Sequence, residues 1–334
     1  MQPVRSMGAS GRHLIISPDG ELNLLPFESL LDEQGHYLIE NYLISYVTAG
    51  RDLLRMQLAR PGKSEPEIFA NPAFGEPATE QTAVSSAPKL GPAKAFAARR
   101  GSTTGQDIAG VYFAPLAGTA QEAHVLKSLF PDAKILSGER ASKAELERVE
   151  APTILHLATH GFFLENTADN AASKHTVGKG AGRSTDSTMK IENPLLRSGL
   201  ALAGANLGNR SDGNGILTAL EASNLNLWGT KLVTLSACDT GVGQVENGEG
   251  VFGLRRAFVI AGAETVVMSL WPISDAVTRD LMTSYYRGLK AGLGRGDALR
   301  QAQLAMLNRK GHEHPFYWAS FIQVGEWANL DGKR

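Results

Sequence analysis

Three residues of this chain have the types and placement to break an acyl bond together: His160, Cys238 and Asp275. Cys238 is the only cysteine in 334 residues. A thiol is mostly protonated at neutral pH and becomes a nucleophile when a nearby imidazole takes its proton. Each of the three follows an apolar run. TILHLA at 153–158 leads into Thr159, His160 and Gly161. KLVTLS at 231–236 leads into Ala237, Cys238 and Asp239. ETVVMSL at 264–270 leads into Trp271 and then Asp275. Attack on an amide carbonyl creates an oxyanion, which backbone N–H groups can hold. Gly161 has no side chain to keep an oxygen from its N–H, and the N–H of Cys238 offers a second donor. Alone, Cys238 reads as a small buried hydrophobe and His160 as a satisfied structural group. The pair, each at the end of an apolar run and followed within three residues by glycine, points to nucleophilic catalysis. Asp239 reads either as a solvated turn residue or as part of the same site.

The elements that must hold these residues follow from hydrophobic period. The runs at 153–158, 231–236 and 264–270 are nearly continuous, as in strands buried on both faces of a parallel sheet. Helix-like stretches separate them: 119–130, a short one after Ser142, 217–223, 250–261, 275–290 and 296–308. Thr119 with Glu122, and Ser142 with Glu145, have capping-box spacing. Further strands are expected at 14–17, 42–47, 133–136, 200–203 and 321–324, with a helix-like stretch at 52–60. Alternation of this kind predicts an α/β fold, a mostly parallel sheet flanked by helices. Ligand sites in such sheets lie beyond the carboxyl ends of the strands, where the three candidate residues fall. His156 shares a strand face with His160 but lies within the run, so it reads as an interior, hydrogen-bonded histidine.

Two segments break the alternation. Residues 71–110 are rich in Ala, Pro, Gly, Ser and Thr without a hydrophobic period, which predicts a linker or mobile insertion. Residues 165–190 are a second polar insertion and carry Lys174, Lys179, Arg183 and Lys190. The expected division is 1–70, a linker at 71–110, and a main lobe at 111–334 that contains the 165–190 insertion.

Composition excludes several function classes. Lys and Arg total 33 against 34 Asp and Glu, which speaks against a nucleic-acid binder or an electrostatic membrane anchor. No apolar run approaches the ~18 residues of a membrane span. A lone cysteine cannot form an intrachain disulfide, and the first residues lack the apolar core of a signal peptide, so a reducing cytoplasm is expected. No cofactor and no metal are expected. His312 and His314 read as a surface turn beside Pro315, Trp271 and Trp318 as packing, and no Ca²⁺-loop pattern occurs. The glycines at 241, 243, 248 and 250 miss both phosphate-loop patterns, because Glu246 and Glu249 stand at the deciding positions. That loop reads as the rim of the site and the start of a helix.

At His160 and Cys238 the sequence resembles the CHAT family of clan CD cysteine peptidases, relatives of caspases and separases. The stretches that carry the likeness are LIISPDGELNLLPFESLL, LHLATHGFF, NPLLRSGLALAGAN, LVTLSACDTGVG, GEGVFGLRRAFVIAGAETVVMSLWPISD and HPFYWASFIQVGE. They occur in order over roughly residues 14–325. The resemblance implies a caspase-like fold, with the N-terminal part packed on it as a pseudo-protease lobe. It implies His160 as general base, Cys238 as nucleophile, and the N–H groups of Gly161 and Cys238 as oxyanion donors. His160 and Cys238 are 78 residues apart, or 52 with the 26-residue insertion set aside, near the ~50 of caspases. Separase-like relatives carry an acid after an LW-containing strand that reads a basic P1 side chain, and LWPISD puts Asp275 there. A carboxylate in such a pocket favours Arg or Lys through charge-assisted hydrogen bonds. The other reading of Asp275, or of Ser274, is the cap of the following helix. Upstream tetratricopeptide or other helical repeats accompany the family, so this chain is expected to be the protease part of a longer protein with a repeat region or regulatory partner.

The expected function is thus a cysteine endopeptidase that cleaves a protein partner after a basic P1 residue. Basic residues in the insertions, Arg99 and Arg100 among them, add self-processing to that expectation. The alternative is a non-catalytic caspase-like signalling scaffold, since a fold does not by itself imply activity. A different thiol hydrolase, such as an amidase, shares the same chemistry.

Overall fold

The computed structural model describes residues 11–58, 61–75, 112–163, 194–196, 198–210, 215–236 and 249–333. In chain order the strands are β1 (His13–Ile16), β2 (Leu43–Tyr46), β3 (Glu67–Pro72), β4 (Lys134–Gly138), β5 (Ile154–Ala158), β6 (Gly161–Phe163), β7 (Ser198–Ala201), β8 (Ile216–Thr218), β9 (Leu232–Leu235), β10 (Thr265–Ser269) and β11 (Phe321–Gly325). The helices used below are α1 (Ala117–Leu129), α2 (Lys143–Glu147), α3 (Ala219–Ala222), α4 (Glu249–Ala261), α5 (Asp275–Lys290) and α6 (Arg295–Leu307).

Among the described residues, eight strands form one sheet in the order β1-β2-β11-β10-β9-β5-β3-β4. Every neighbouring pair is parallel except β10 with β11. The expected α/β class, a mostly parallel sheet flanked by helices, is what the molecule has. A second sheet, β6-β7-β8, is antiparallel and was not expected.

Side chains alternate across the sheet and so build two cores. Leu155 and Leu157 of β5, Val233 and Leu235 of β9, and Val266 and Met268 of β10 face one side. There they pack on Leu254, Ala257 and Phe258 of α4. Ile154, Ala158, Leu232 and Val267 face the other side, against α1 and α5 through Ala123, Leu126, Leu281, Met282, Tyr285 and Tyr286. Period two along a strand makes this division, and burial on both faces explains why these runs are almost wholly apolar. Each fully buried large side chain contributes about 1.5–3 kcal/mol of apolar transfer.

Several elements differ in detail from the sequence reading. β3 lies inside the main sheet next to the edge strand β4, paired to both β4 and β5, so the expected boundary at residue 70 falls within a strand of that sheet. α1 starts at Ala117 after Leu116, which makes no side-chain cap. Thr119 is therefore not a cap: it donates to the Leu116 carbonyl and accepts from the Asn71 N–H at 2.9 Å. Ser142 does cap α2, accepting from the Glu145 N–H. The expected insertion at 165–190 and the residues 76–110 of the expected linker lie outside the described residues.

The N-terminal residues dock on the sheet by backbone pairing and by polar contacts. β2 meets β11 at Tyr46 and Val324. Arg300 of α6 donates to the carbonyls of Ile39, Glu40 and Tyr42. Arg255 of α4, buried, reaches the Asn23 side chain, and the Tyr46 hydroxyl donates to the buried Glu28 carboxyl at 2.6 Å.

Candidate active site

β5, β9 and β10 are neighbours, so the segments beyond their carboxyl ends lie side by side. A cavity of about 170 Å³ opens there. Its lining includes Glu122, His160, Ser236, Ser269 and Asp275. His160 and Asp275, both chosen from the sequence, thus share one cavity. Cys238 and Asp239 lie outside the described residues; Ser236, the last described residue of that strand end, is on the cavity wall.

His160 is held on every side by local structure. Its backbone carbonyl accepts from the Ala201 N–H at 2.9 Å, and Thr159 donates its hydroxyl proton to the Ala201 carbonyl. Both bonds tie the end of β5 to β7. The ring stands among Phe74 and Phe113, with centroids 5.2 and 5.8 Å away. Nε2 is 2.7 Å from the carbonyl oxygen of Ala114. A carbonyl only accepts, so Nε2 carries the proton, and the basic lone pair of the neutral ring is on Nδ1. That is the tautomer a general base needs, with its second nitrogen anchored.

Phe113, the residue before Ala114, is in turn held by Asn206. The Asn206 side chain accepts from the Phe113 N–H at 2.9 Å and donates to the Phe113 and Gly75 carbonyls, each at 2.9 Å. Sequence reasoning missed both parts of this support. A backbone carbonyl leaves no trace in residue type, and Asn206 was legible only as the last residue of NPLLRSGLALAGAN.

Gly161 opens β6 and pairs with Leu200. In an antiparallel ladder the bonded pairs alternate. The bond from Ala201 N–H to the His160 carbonyl makes that pair a bonded one, so the Gly161 N–H points away from β7. Gly161 is buried beside His160, though it is not among the residues that line the cavity.

Asp275 is the first residue of α5, while Ser274 is the cap, accepting from the Val277 N–H at 3.4 Å. Its carboxylate packs against Gly118 in the first turn of α1. It is exposed and stands at the positive end of the α5 dipole, which favours a negative charge there.

Behind the cavity lies a buried polar chain. His156 and Thr234 are register partners on β5 and β9. Tyr286 of α5 donates to Thr234 Oγ1 at 2.8 Å, and His156 Nδ1 is 2.9 Å from the Tyr286 hydroxyl. His156 Nε2 is 3.2 Å from Glu122 Oε1, without the alignment of a hydrogen bond. Glu122 Oε2 accepts from Ser236 at 3.1 Å. His156 is thus interior and hydrogen-bonded, as its place in the strand implied. Glu122, read from the sequence as half of a capping box, is instead a buried acid on the cavity wall.

The remaining candidates have structural places. His314 accepts from the Phe316 N–H and caps the helical turn Pro315–Trp318, while the His312 ring lies on Tyr317. Trp318 is fully buried, and Trp271 donates to the Phe316 carbonyl. Among the described residues, no group of three or more His, Cys, Asp or Glu side chains could hold a metal ion, and no helix is long and apolar enough to cross a membrane.

The family model for the CHAT domain matches residues 1–326. Tetratricopeptide repeat protein 28 of Homo sapiens is 24% identical over 98% of this chain and 12% of its own length. The Mus musculus protein of the same name is 26% identical over 98% of this chain and 13% of its own length. The chain therefore spans about an eighth of these relatives. Two crystal structures of the Saccharomyces cerevisiae separase–securin complex are also similar, each at 10% identity over 91% of this chain. Their TM-scores are 0.47 and 0.45, and the match covers 14% and 15% of those chains.

Proposed function

Because the chain belongs to the CHAT domain family, we propose that it is a cysteine endopeptidase with a His160–Cys238 dyad, cleaving a protein partner after a basic P1 residue. The observation that carries this reading is the anchored imidazole of His160, bound through Nε2 to the Ala114 carbonyl on the wall of an acid-bearing cavity.

In the proposed reaction, Nδ1 of His160 accepts the Cys238 proton and the thiolate attacks the carbonyl carbon after P1. The oxyanion is held by the N–H groups of Gly161 and Cys238. The tetrahedral intermediate collapses, the C–N bond breaks, and the imidazolium gives its proton to the leaving amine. Water, deprotonated by His160, then attacks the thioester and releases the acid and the thiol. Asp275 binds the P1 cation, with Asp239 close to the nucleophile in sequence. The relatives carry tetratricopeptide repeats by name, and we extend to this chain a repeat region as regulatory partner. A reducing cytoplasm suits a catalytic thiol.

The test is covalent labelling by peptidyl electrophiles with P1 Arg, Leu or Asp, read by intact mass, with Cys238→Ala and His160→Ala as controls. Labelling by the P1 Arg reagent that needs both residues is the expected result. Folded protein whose Cys238 resists every reagent overturns the peptidase reading and leaves the scaffold. Labelling by P1 Leu alone keeps the peptidase and removes the basic P1.

A further inference from the structure

We propose that Glu122 is a second specificity-determining acid, set at the floor of the cavity below Asp275, and that the two together select arginine. The inference rests on the reading of this cavity as the P1 site.

Glu122 is 4% exposed, yet it lines the cavity, while Asp275 on the same lining is exposed. The two acids therefore stand at different depths, one at the mouth and one at the floor. A buried carboxylate needs hydrogen-bond donors. Glu122 takes one from Ser236 to Oε2, and its Oε1 faces His156 without an aligned bond. A carboxylate oxygen offers about two acceptor sites; Oε1 is enclosed against His156, so the second site of Oε2, beside Ser236, is the one left for a donor that arrives from the cavity.

The hydroxyls around it point to the same ligand. Ser236 gives its proton to Glu122, Ser269 to the Trp271 carbonyl at 2.5 Å, and Thr119 to the Leu116 carbonyl at 2.8 Å. Their protons are committed, so toward the cavity they are acceptors. No Lys or Arg is among the described lining residues. A wall of acceptors takes a side chain rich in donors and disfavours a carboxylate, whose own oxygens would face oxygens. The volume of about 170 Å³ lies below the ~300–1,000 Å³ of small-molecule pockets and suits a single side chain. Acceptors at two depths favour the longest cationic side chain. A guanidinium presents five N–H donors in a planar fork, where an ammonium presents three from one point.

The experiment measures binding of Nα-acetyl-arginine amide to the full chain by NMR titration. It is compared with the citrulline amide, a neutral isostere, and with norarginine amide, one methylene shorter and still charged. Cys238→Ala protein is used, so binding is read without catalysis. Arginine is expected to bind about tenfold or more tightly than either analogue, as a charge-assisted contact at the floor commands. Glu122→Gln should narrow the gap to citrulline and abolish the preference for arginine over norarginine, and Asp275→Asn should weaken all cations while leaving the length preference. Equal affinity for arginine and citrulline overturns the proposal, as does a gap that Glu122→Gln leaves unchanged. Norarginine binding as tightly as arginine also overturns it, and that comparison needs no change at Glu122, so it decides even where Glu122→Gln fails to fold. Failure of the peptidase reading is seen separately, as a Cys238 that no electrophile labels.

Discussion

A Cβ placed on Gly118 would stand 2.7 Å from the Cβ of Asp275, so the first turns of α1 and α5 touch through a residue with no side chain. The glycine sets where the exposed acid of the cavity can lie. Gly118→Ala must push the start of α5 or the Asp275 side chain outward. The expected outcome is a fall in kcat/KM for P1 Arg peptides of roughly 10- to 100-fold, the range of about 1.5–3 kcal/mol for a hydrogen bond to a charged group. P1 Leu peptides should change little. A parallel fall for both would show that the contact is structural.

Asn206 is expected to govern turnover more than substrate affinity. Asn206→Asp keeps an acceptor for the Phe113 N–H but loses both donors to the Phe113 and Gly75 carbonyls. The Ala114 carbonyl then holds the His160 ring less tightly. A kcat lowered by ~10- to 100-fold with nearly constant KM is expected, since small misplacements of catalytic groups carry costs of that size. Steady-state kinetics on a P1 Arg peptide, with thermal unfolding as control, checks it.

Tyr286→Phe removes the hydroxyl that lies between His156 and Thr234. Two buried polar groups lose their shared partner, at a cost of about 1–3 kcal/mol. Urea unfolding should show a lower midpoint with an unchanged slope. An unchanged midpoint would mean that the two groups find other partners.

Stability should fall between mildly acidic and neutral pH because of Glu28. Burial pushes its carboxyl up to about 7 from the ordinary 4.5, against the opposing hydrogen bond from Tyr46. The folded chain holds this proton more tightly than the unfolded chain, so the benefit is complete below ~4.5 and declines as pH rises to ~7. The full difference is about 3 kcal/mol. Glu28→Gln should flatten this slope, with the variant gaining on the parent protein as pH rises from 5 to 8. Parallel Tm curves for the two proteins would refute it.

The sheet was legible wherever burial on both faces forced a continuous apolar run, as in TILHLA, KLVTLS and ETVVMSL. β3 was not, because Glu67 and Pro72 bracket only three apolar residues and the stretch merges into the Ala- and Pro-rich segment after it. The antiparallel β6-β7-β8 sheet escaped notice because β6 and β8 are three residues each, too short for a period to register. At the site, His160 and Asp275 were legible from their places after strands. Glu122 was not: its polar type on an amphipathic helix looks solvent-facing until α1 is laid against β5 and β9. Thr119 misled for a related reason, since its hydroxyl serves Leu116 and Asn71 rather than a helix start.

Because β2 joins the sheet through β11, at Tyr46 and Val324, the N-terminal strands leave the ribosome nearly a whole chain length ahead of their neighbour. Pairing across so long a separation is slow to close. β1 and β2 can find each other early but cannot take their place until β11 has been made. Until then β2 carries an unpaired edge, the kind of surface on which nascent chains stick to one another. Of these paired strands, the two made earlier wait for the one made later.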